Sequence, residues 1–510
     1  MFKKHPKGLI GAALANMGER FGFYTMMAIL LLFLQTKFNL SNENASWIVS
    51  IFMTSIYLLS LVGGIIADKT KKIKATIFTG LIMMTAGYAL LSVATPTPVP
   101  QDKYTMSLVL SCFALFVIAL GNGLFKGNLQ ALVGQMYDDP KYSNKRDEGF
   151  SIFYMFINIG AIFAPVTAVA IRNWWVELHG YAYHQKLPDA ANLFVSSNGS
   201  EGATELGKYA KEIGYNGNVD MSFATDYLDV FTTGFHYAFA AAILAMLVSV
   251  GVYLYNQKNF RNPDSKLADA TGVDSSAKAP QMSAAEVKQR IYALFAVFAV
   301  VIFFWFSFHQ NSTTLTSFAK DYVDVSDVNL DLGFTTLKGV ELFQSINPFF
   351  VVFLTPVVLA IFGWLKAKGK EPSTPKKIAI GMGIAAVGFL VVFVASIGLP
   401  AYSNIEAVGY TPNVSPLVLV RCYFVLTVAE LFISPLGISF VSKVAPPQYQ
   451  SLMQALWLCA TAVGNLLVGV GATMYADVSL ELTWSVFIVV CCLSMVTMFI
   501  MLKWLERVAK

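Results

Sequence analysis

Twelve apolar stretches, each about twenty residues or longer, recur along this chain of 510 residues. A helix needs about 20 apolar residues to cross a hydrocarbon core about 30 Å thick, and runs of that length without short alternating strands indicate helices rather than a barrel. The spans fall near 9–37, 46–68, 74–96, 105–135, 148–171, 230–257, 288–319, 341–366, 376–400, 415–444, 449–475 and 481–504. With 56% hydrophobic and only 13% charged residues and a mean hydropathy of +0.58, the chain is not a soluble globular protein. The pattern predicts an all-α membrane protein of about twelve transmembrane helices.

Short-loop lysines set the expected orientation. Lys3, Lys4 and Lys7 precede the first span, Lys69, Lys71, Lys72 and Lys74 lie between the second and third, and Lys366, Lys368, Lys370, Lys376 and Lys377 lie between the eighth and ninth. These loops share one side, so both termini are expected in the cytoplasm and the protein in the plasma membrane, as in a bacterial inner membrane. Asp321, Asp324, Asp327 and Asp331 gather on the other side. The net charge of +5 is thus read as topology rather than as a nucleic-acid surface. The first span is too long for a signal-peptide core and is expected to be retained. Cys112, Cys422, Cys459, Cys491 and Cys492 all sit in apolar spans without metal-ligand spacing, as packing residues do.

Asn259 to Ala285 is polar and free of apolar runs, so it reads as a cytoplasmic linker between residues 1–258 and 286–510, each contributing six spans. A long exported stretch, about 172–229, separates spans five and six, with Trp174 and Trp175 as interface anchors at its start. Six plus six around a central loop is the layout of the major facilitator fold, in which two bundles rock about a midplane site. GGIIADKTKKIK, Gly63 to Lys74 with Asp68 at the helix end, resembles that superfamily's G-x-x-x-D-x-x-x-[KR] loop motif.

Charges inside the spans point to function, because each costs roughly 2.5–3.5 kcal/mol in hydrocarbon on insertion scales. Glu19 and Arg20 lie in the first span, Lys126 in the fourth and Glu430 in the tenth, the outline of a polar cavity. Helical spacing puts Asn16, Glu19, Arg20, Phe23 and Tyr24 on one face. A guanidinium there could clamp a carboxylate through two parallel hydrogen bonds, and a tyrosine could add a neutral donor. The structural alternative is that Glu19 and Arg20 only fix helix packing.

Several of these motifs resemble the proton-dependent oligopeptide transporter (POT) family. GERFGFY is similar to its first-helix E-x-x-E-R-F-x-Y-Y motif, FYMFINIGAIFAP to its fifth-helix F-Y-x-x-I-N-x-G signature, FQSINPFF and ELFISPLGISFVSKVAP to its eighth and tenth helices, and GNGLFKGN to the segment with its fourth-helix lysine. The resemblance runs through both halves in order. It implies that Arg20 and Lys126 receive a peptide's carboxylate and that Glu430 receives its ammonium. It further implies that Asn158 and Asn347 hydrogen-bond the peptide, and that Tyr24, Tyr57, Trp305 and Trp457 line the cavity. Proton coupling would fall to Glu19, His309 or Glu430. Three positions depart from the family pattern: Asn16 replaces the motif's first acid, His309 stands where the seventh helix carries an acid, and Met27 stands where some members carry a second arginine. These departures bear on proton coupling more than on peptide recognition. Unperturbed histidine titrates near ~6.5, so His309 could load a proton in place of a carboxylate.

The resulting expectation is a secondary transporter that imports di- and tripeptides with protons by alternating access. It would act as a monomer in the lipid bilayer, without a cofactor beyond the proton gradient. It is not expected to be an enzyme, since no nucleophile–base pair or metal cluster emerges, nor an ATP-driven pump, since no G-x-x-x-x-G-K-[ST] motif is present. The alternatives are the same fold moving another small anion or zwitterion, an exchanger, or a transporter-like nutrient sensor. Pro165, Pro348, Pro356 and Pro435 lie within spans and are candidate kinks.

Overall fold

The computed structural model describes residues 5–137, 141–142, 146–260, 282–405, 407–446 and 449–508. Lys3, Lys4, the side chain of Asp68 and residues 261–281 of the central linker lie outside the described residues. Among those described, 12 helices are long and apolar enough to cross a membrane.

The first six spans are α1 (Gly8–Phe38), α2 (Asn42–Thr70), α3 (Ile73–Ser92), α4 (Gln101–Met136), α5 (Arg146–Leu178) and α8 (Met221–Asn256), with short helices α6 (Leu187–Ser196) and α7 (Ala203–Glu212) between the last two. The second six are α9 (Ala284–Phe308), continued past a break by α10 (Thr314–Tyr322), then α11 (Ile346–Ala367), α12 (Thr374–Ser396), α13 (Pro416–Val444), α14 (Gln450–Asp477) and α15 (Leu480–Val508). Within the first group α1 packs on α5 and α8, α3 on α4 and α8, and α2 on α4. In the second, α12 packs on α13 and α15, α9 on α14 and α15, and α11 on α13. The groups meet where α2 lies along α14 and α5 along α11. An even number of crossings brings both termini to one face, the terminal face, opposite a distal face.

Local chemistry sets the ends of these helices. Asn39 takes a left-handed backbone, φ 49°, and stops α1. The Ser41 hydroxyl then accepts from the Asn44 amide at 3.2 Å and caps α2. Asp220 and Ser283 cap α8 and α9 in the same way. Pro165, Pro356 and Pro435 sit inside helices. Pro348, in contrast, is in the first turn of α11, where its missing donor costs nothing.

The structure corrects two expectations about the chain's course and adds one feature. α5 continues six residues past Arg172 to Leu178 and α8 begins at Met221, so the long loop is shorter than expected and holds α6 and α7. The seventh span is not one helix: His309–Ser312 form a 3₁₀ turn between α9 and α10. The Gln310 side chain fastens that break, donating to Phe306 O at 3.0 Å while Thr314 Oγ1 donates to Gln310 Oε1 at 2.5 Å. Finally, the loop before α11 contains a two-stranded antiparallel hairpin, β1 (Leu330–Asp331) paired with β2 (Thr336–Leu337).

Candidate functional site

Glycines bring the first-half site together. On α4, Gly121 and Gly123 flank Asn122, four residues before Lys126. A Cβ on Gly123 would lie 2.6 Å from the Leu59 carbonyl of α2, and one on Gly80 of α3 would lie 2.6 Å from the Gly121 carbonyl. Such close approach is available only without side chains. It carries Asn122 to α1, where its amide donates to Glu19 Oε1 at 2.7 Å. Further along α4, the Lys126 ammonium sits over the Tyr57 ring of α2, 4.5 Å from its centroid.

Arg20 and Glu19 do share a buried environment, but chiefly with each other. Arg20 donates to both carboxylate oxygens of Glu19, Nε to Oε2 at 2.5 Å and Nη2 to Oε1 at 2.6 Å, and its guanidinium stacks 4.7 Å from the Phe23 ring centroid. With Asn122 also bonded, the fully buried Glu19 accepts three hydrogen bonds. Lys126 differs: among the described residues no ion pair joins it to a carboxylate.

The second half presents Glu430 on α13. Asn347 of α11 donates to Glu430 Oε2 at 2.9 Å and to Thr427 Oγ1 at 3.0 Å, which fixes the carboxylate's direction without neutralising it. Glu430 lies in the electrostatic surroundings of Tyr24, Tyr57 and Tyr154, and the same tyrosines border Arg20 or one another. Lys126 in turn borders Arg20, Glu19 and His309. Charged and phenolic groups of the two halves therefore lie within electrostatic reach of one another. No ion pair joins Lys126 to Glu430 among the described residues.

His309 stands at the α9 break, stacked on Trp305 at 4.9 Å and 17°. Its side chain lies within hydrogen-bonding reach of the fully buried Asn465, while its Nδ1 and Trp305 Nε1 are buried without a hydrogen-bond partner. Trp457 is buried, with its ring laid on Gly437 of α13 and edge-on to Phe298 at 6.1 Å. Asn158 donates to Tyr154 O of its own helix at 3.1 Å. Tyr154 is half exposed. Asn122, Tyr154 and Asn465 were not singled out from the sequence. Asn122 could have been, since it lies inside the GNGLFKGN motif, but a neutral amide in an apolar span carries little signal.

The hydrogen bonds between the two groups of helices lie from the midplane to the distal face. Thr54 donates to Ala462 O at 3.2 Å, Ser345 to Ile162 O at 2.9 Å, Gln344 to Ala28 O at 3.2 Å, Ser317 to Asn42 Oδ1 at 2.6 Å and Thr473 to Glu43 Oε1 at 2.8 Å. Nearer the distal surface, Lys320 pairs with Asp189 at 2.8 Å and Lys186 with Asp321 at 3.4 Å, and Arg172 pairs with Glu341. Among the described residues no hydrogen bond or ion pair joins the groups on the terminal side. The polar contacts between the groups among the described residues are thus concentrated toward the distal face.

Comparison with known proteins agrees with this arrangement. The chain is 29% identical over 503 residues to the peptide transporter YePEPT of Yersinia enterocolitica, covering 93% of this chain and 89% of that one. It is 28% identical over 491 residues to a di-/tripeptide transporter of Lactococcus lactis, covering 91% and 89%. Its fold matches a crystal structure of a POT peptide transporter in complex with sulfate, with a TM-score of 0.70 at 23% identity over 100% of this chain and 96% of that one. The POT family model matches residues 74–269 and 269–486. On that match across both helix groups, together with the twelve-span architecture, the chain is a member of the POT family of peptide transporters, with a major facilitator fold.

Proposed function

We propose that this protein imports di- and tripeptides together with protons by alternating access. The reading is carried by one observation: Lys126 and Glu430, charges of opposite sign inside spans of opposite helix groups, each lack an oppositely charged partner within ion-pair distance among the described residues. A zwitterionic peptide supplies both missing charges. Its carboxylate lies on Lys126, with Arg20 nearby, and its ammonium on Glu430, held in direction by Asn347. Asn158 offers a hydrogen bond to the peptide backbone, and Tyr24, Tyr57, Trp305 and Trp457 form the apolar walls that accept varied side chains. A ligand that bridges two rigid groups favours the conformation in which they come together, so binding itself biases closure of the terminal side.

Residues 1–258 and 286–510 act as the rocking bodies, tethered by 259–285, and the working unit is a monomer. Both termini lie on the cytoplasmic side of a bacterial inner membrane, so the terminal face is the release side. No resident cofactor takes part; the proton gradient supplies the energy. Glu19 is committed to Arg20 and Asn122, which leaves His309 and Glu430 as the groups freer to take up and release the coupled proton. The names of the YePEPT and Lactococcus relatives, a peptide transporter and a di-/tripeptide transporter, support the substrate class.

The test is uptake of labelled dipeptide into proteoliposomes, against single amino acids, with and without an imposed pH gradient. Accumulation of dipeptide above equilibrium only when the outside is acidic supports the proposal. Accumulation of single amino acids in place of dipeptide, or dipeptide exchange indifferent to the gradient, rejects the substrate class or the coupling respectively.

A further inference from the structure

We propose that Arg172 and Glu341 are the lock of the distal gate, a charge pair that breaks and reforms in each transport cycle and sets how readily the protein opens to the outside. Arg172 lies near the distal end of α5 and Glu341 just before α11, in opposite helix groups. Both side chains are fully buried and paired to each other. Among the described residues this is the one ion pair between the groups with both members fully buried; Lys186–Asp321 and Lys320–Asp189 each retain some exposure.

The surroundings hold the arginine in place. Its guanidinium lies over the rings of Tyr183, Phe231 and Phe235, 4.4, 5.3 and 5.6 Å from their centroids. Nε and Nη2 donate to Asn173 Oδ1 at 3.0 and 2.9 Å, and Nη2 also reaches Lys338 O at 3.2 Å. Across the interface, Asn173 donates to the Thr336 and Lys338 carbonyls at 2.7 and 2.9 Å, and Glu177 accepts from the Thr336 amide at 3.1 Å. One turn and a half of α5 therefore grips the chain from Thr336 to Glu341. Gly339 permits this approach, since a Cβ there would lie 2.8 Å from Arg172 Nη2.

Two features make this a gate rather than a static brace. It joins only elements that must separate if the cavity is to open distally, and its opening has to hydrate a charge pair that the closed state keeps dry. Breaking a buried ion pair without replacing the partner is strongly unfavourable. Moreover, one oxygen of Glu341 has no hydrogen-bond partner, so the closed pair is not fully satisfied and gains from hydration once opened. The balance suits a contact that must be released repeatedly. Lys186–Asp321 and Lys320–Asp189 also join the groups on this side, but each keeps some exposure, which leaves Arg172–Glu341 as the dry charge pair of the seal among the described residues.

The inference rests on alternating access, but its test uses no peptide, so it can fail or succeed apart from the substrate reading. A single cysteine replaces Met27, which is buried on α1 between the site and the distal seal, in a background where the five native cysteines are alanine. Labelling by a membrane-impermeant maleimide from the distal side is followed in the parent and in Arg172→Gln, Glu341→Gln and the double variant. A second reporter, Tyr154→Cys, is labelled from the terminal side in inside-out vesicles. The expected result is about a tenfold faster distal labelling in each single variant, no further gain in the double, and slower terminal labelling. Unchanged distal labelling in all three variants overturns the lock, and so does faster labelling at both reporters, which would mean a loosened bundle.

Discussion

The central cavity and the distal seal use the same residue types to opposite ends. In the seal, Arg172 meets Glu341 from the other helix group, Asn173 and Glu177 complete the contacts, and aromatic rings close over the guanidinium. Inside the spans, among the described residues, Lys126 has only a tyrosine ring and Glu430 only the Asn347 amide. Arg20 is intermediate, neutralised by the adjacent Glu19 on its own helix rather than across the groups. Burying an unpaired charge is costly. A protein that satisfies its charges across one interface and leaves them open in the next has kept the second set for something that comes and goes. The seal's charges hold two groups of helices together; on the proposed function, the cavity's charges are joined by the ligand.

The largest effect that could break this contrast is removal of either cavity charge. Lys126→Ala and Glu430→Ala should each abolish concentrative uptake of labelled dipeptide, while the protein still elutes as a single folded species from detergent. Uptake near the parent rate in either variant would place the essential charge elsewhere. Next in size is His309→Gln, which should lose accumulation driven by a pH gradient yet keep peptide exchange across membranes without one. Retained accumulation would move the coupled proton to Glu430 or Glu19.

A third change acts through the scaffold that places Lys126 and Asn122. Gly123→Leu drives a side chain into the Leu59 backbone and should destabilise by about 1–3 kcal/mol, the usual cost of overpacking, seen as a lowered Tm alongside reduced uptake. An unchanged Tm would show that α2 and α4 can part without cost. The smallest effect sharpens the role of the ring beneath Lys126. Tyr57→Leu removes a cation–π contact of about 0.5–2 kcal/mol and should weaken dipeptide affinity by roughly two- to thirtyfold, while Tyr57→Phe keeps most of it.

Much of this architecture was legible from the chain itself. Span count and the cavity charges follow from the price of polarity in hydrocarbon, which leaves long apolar runs and makes each exception conspicuous. Glu19, Arg20, Lys126 and Glu430 were found that way. What escaped notice was of two kinds. Arg172 and Glu341 sit near the ends of spans, where a charge ordinarily reaches water, so their sequence positions gave no sign that they meet in a buried contact 169 residues apart. The break at His309 was hidden because Phe308, His309 and Gln310 carry no proline or glycine; the helix yields there because the Gln310 side chain bonds within its own turn and reaches Val468 O of α14 at 3.4 Å. Neutral amides such as Asn122 and Asn465 are likewise silent until their neighbours are known.

The central claim is that one peptide bridges Lys126 and Glu430. The most direct test measures binding of a dipeptide, its N-acetyl form and its C-amide form to the parent, Lys126→Gln and Glu430→Gln proteins. Losing a hydrogen bond to a charged group costs about 1.5–3 kcal/mol, so each blocked peptide should bind the parent roughly ten- to a hundredfold more weakly. The account predicts matched pairs: amidation should cost Lys126→Gln almost nothing further, and acetylation should cost Glu430→Gln almost nothing further. Losses that simply add in every combination, or blocked peptides that bind the parent as well as the free one, would contradict it.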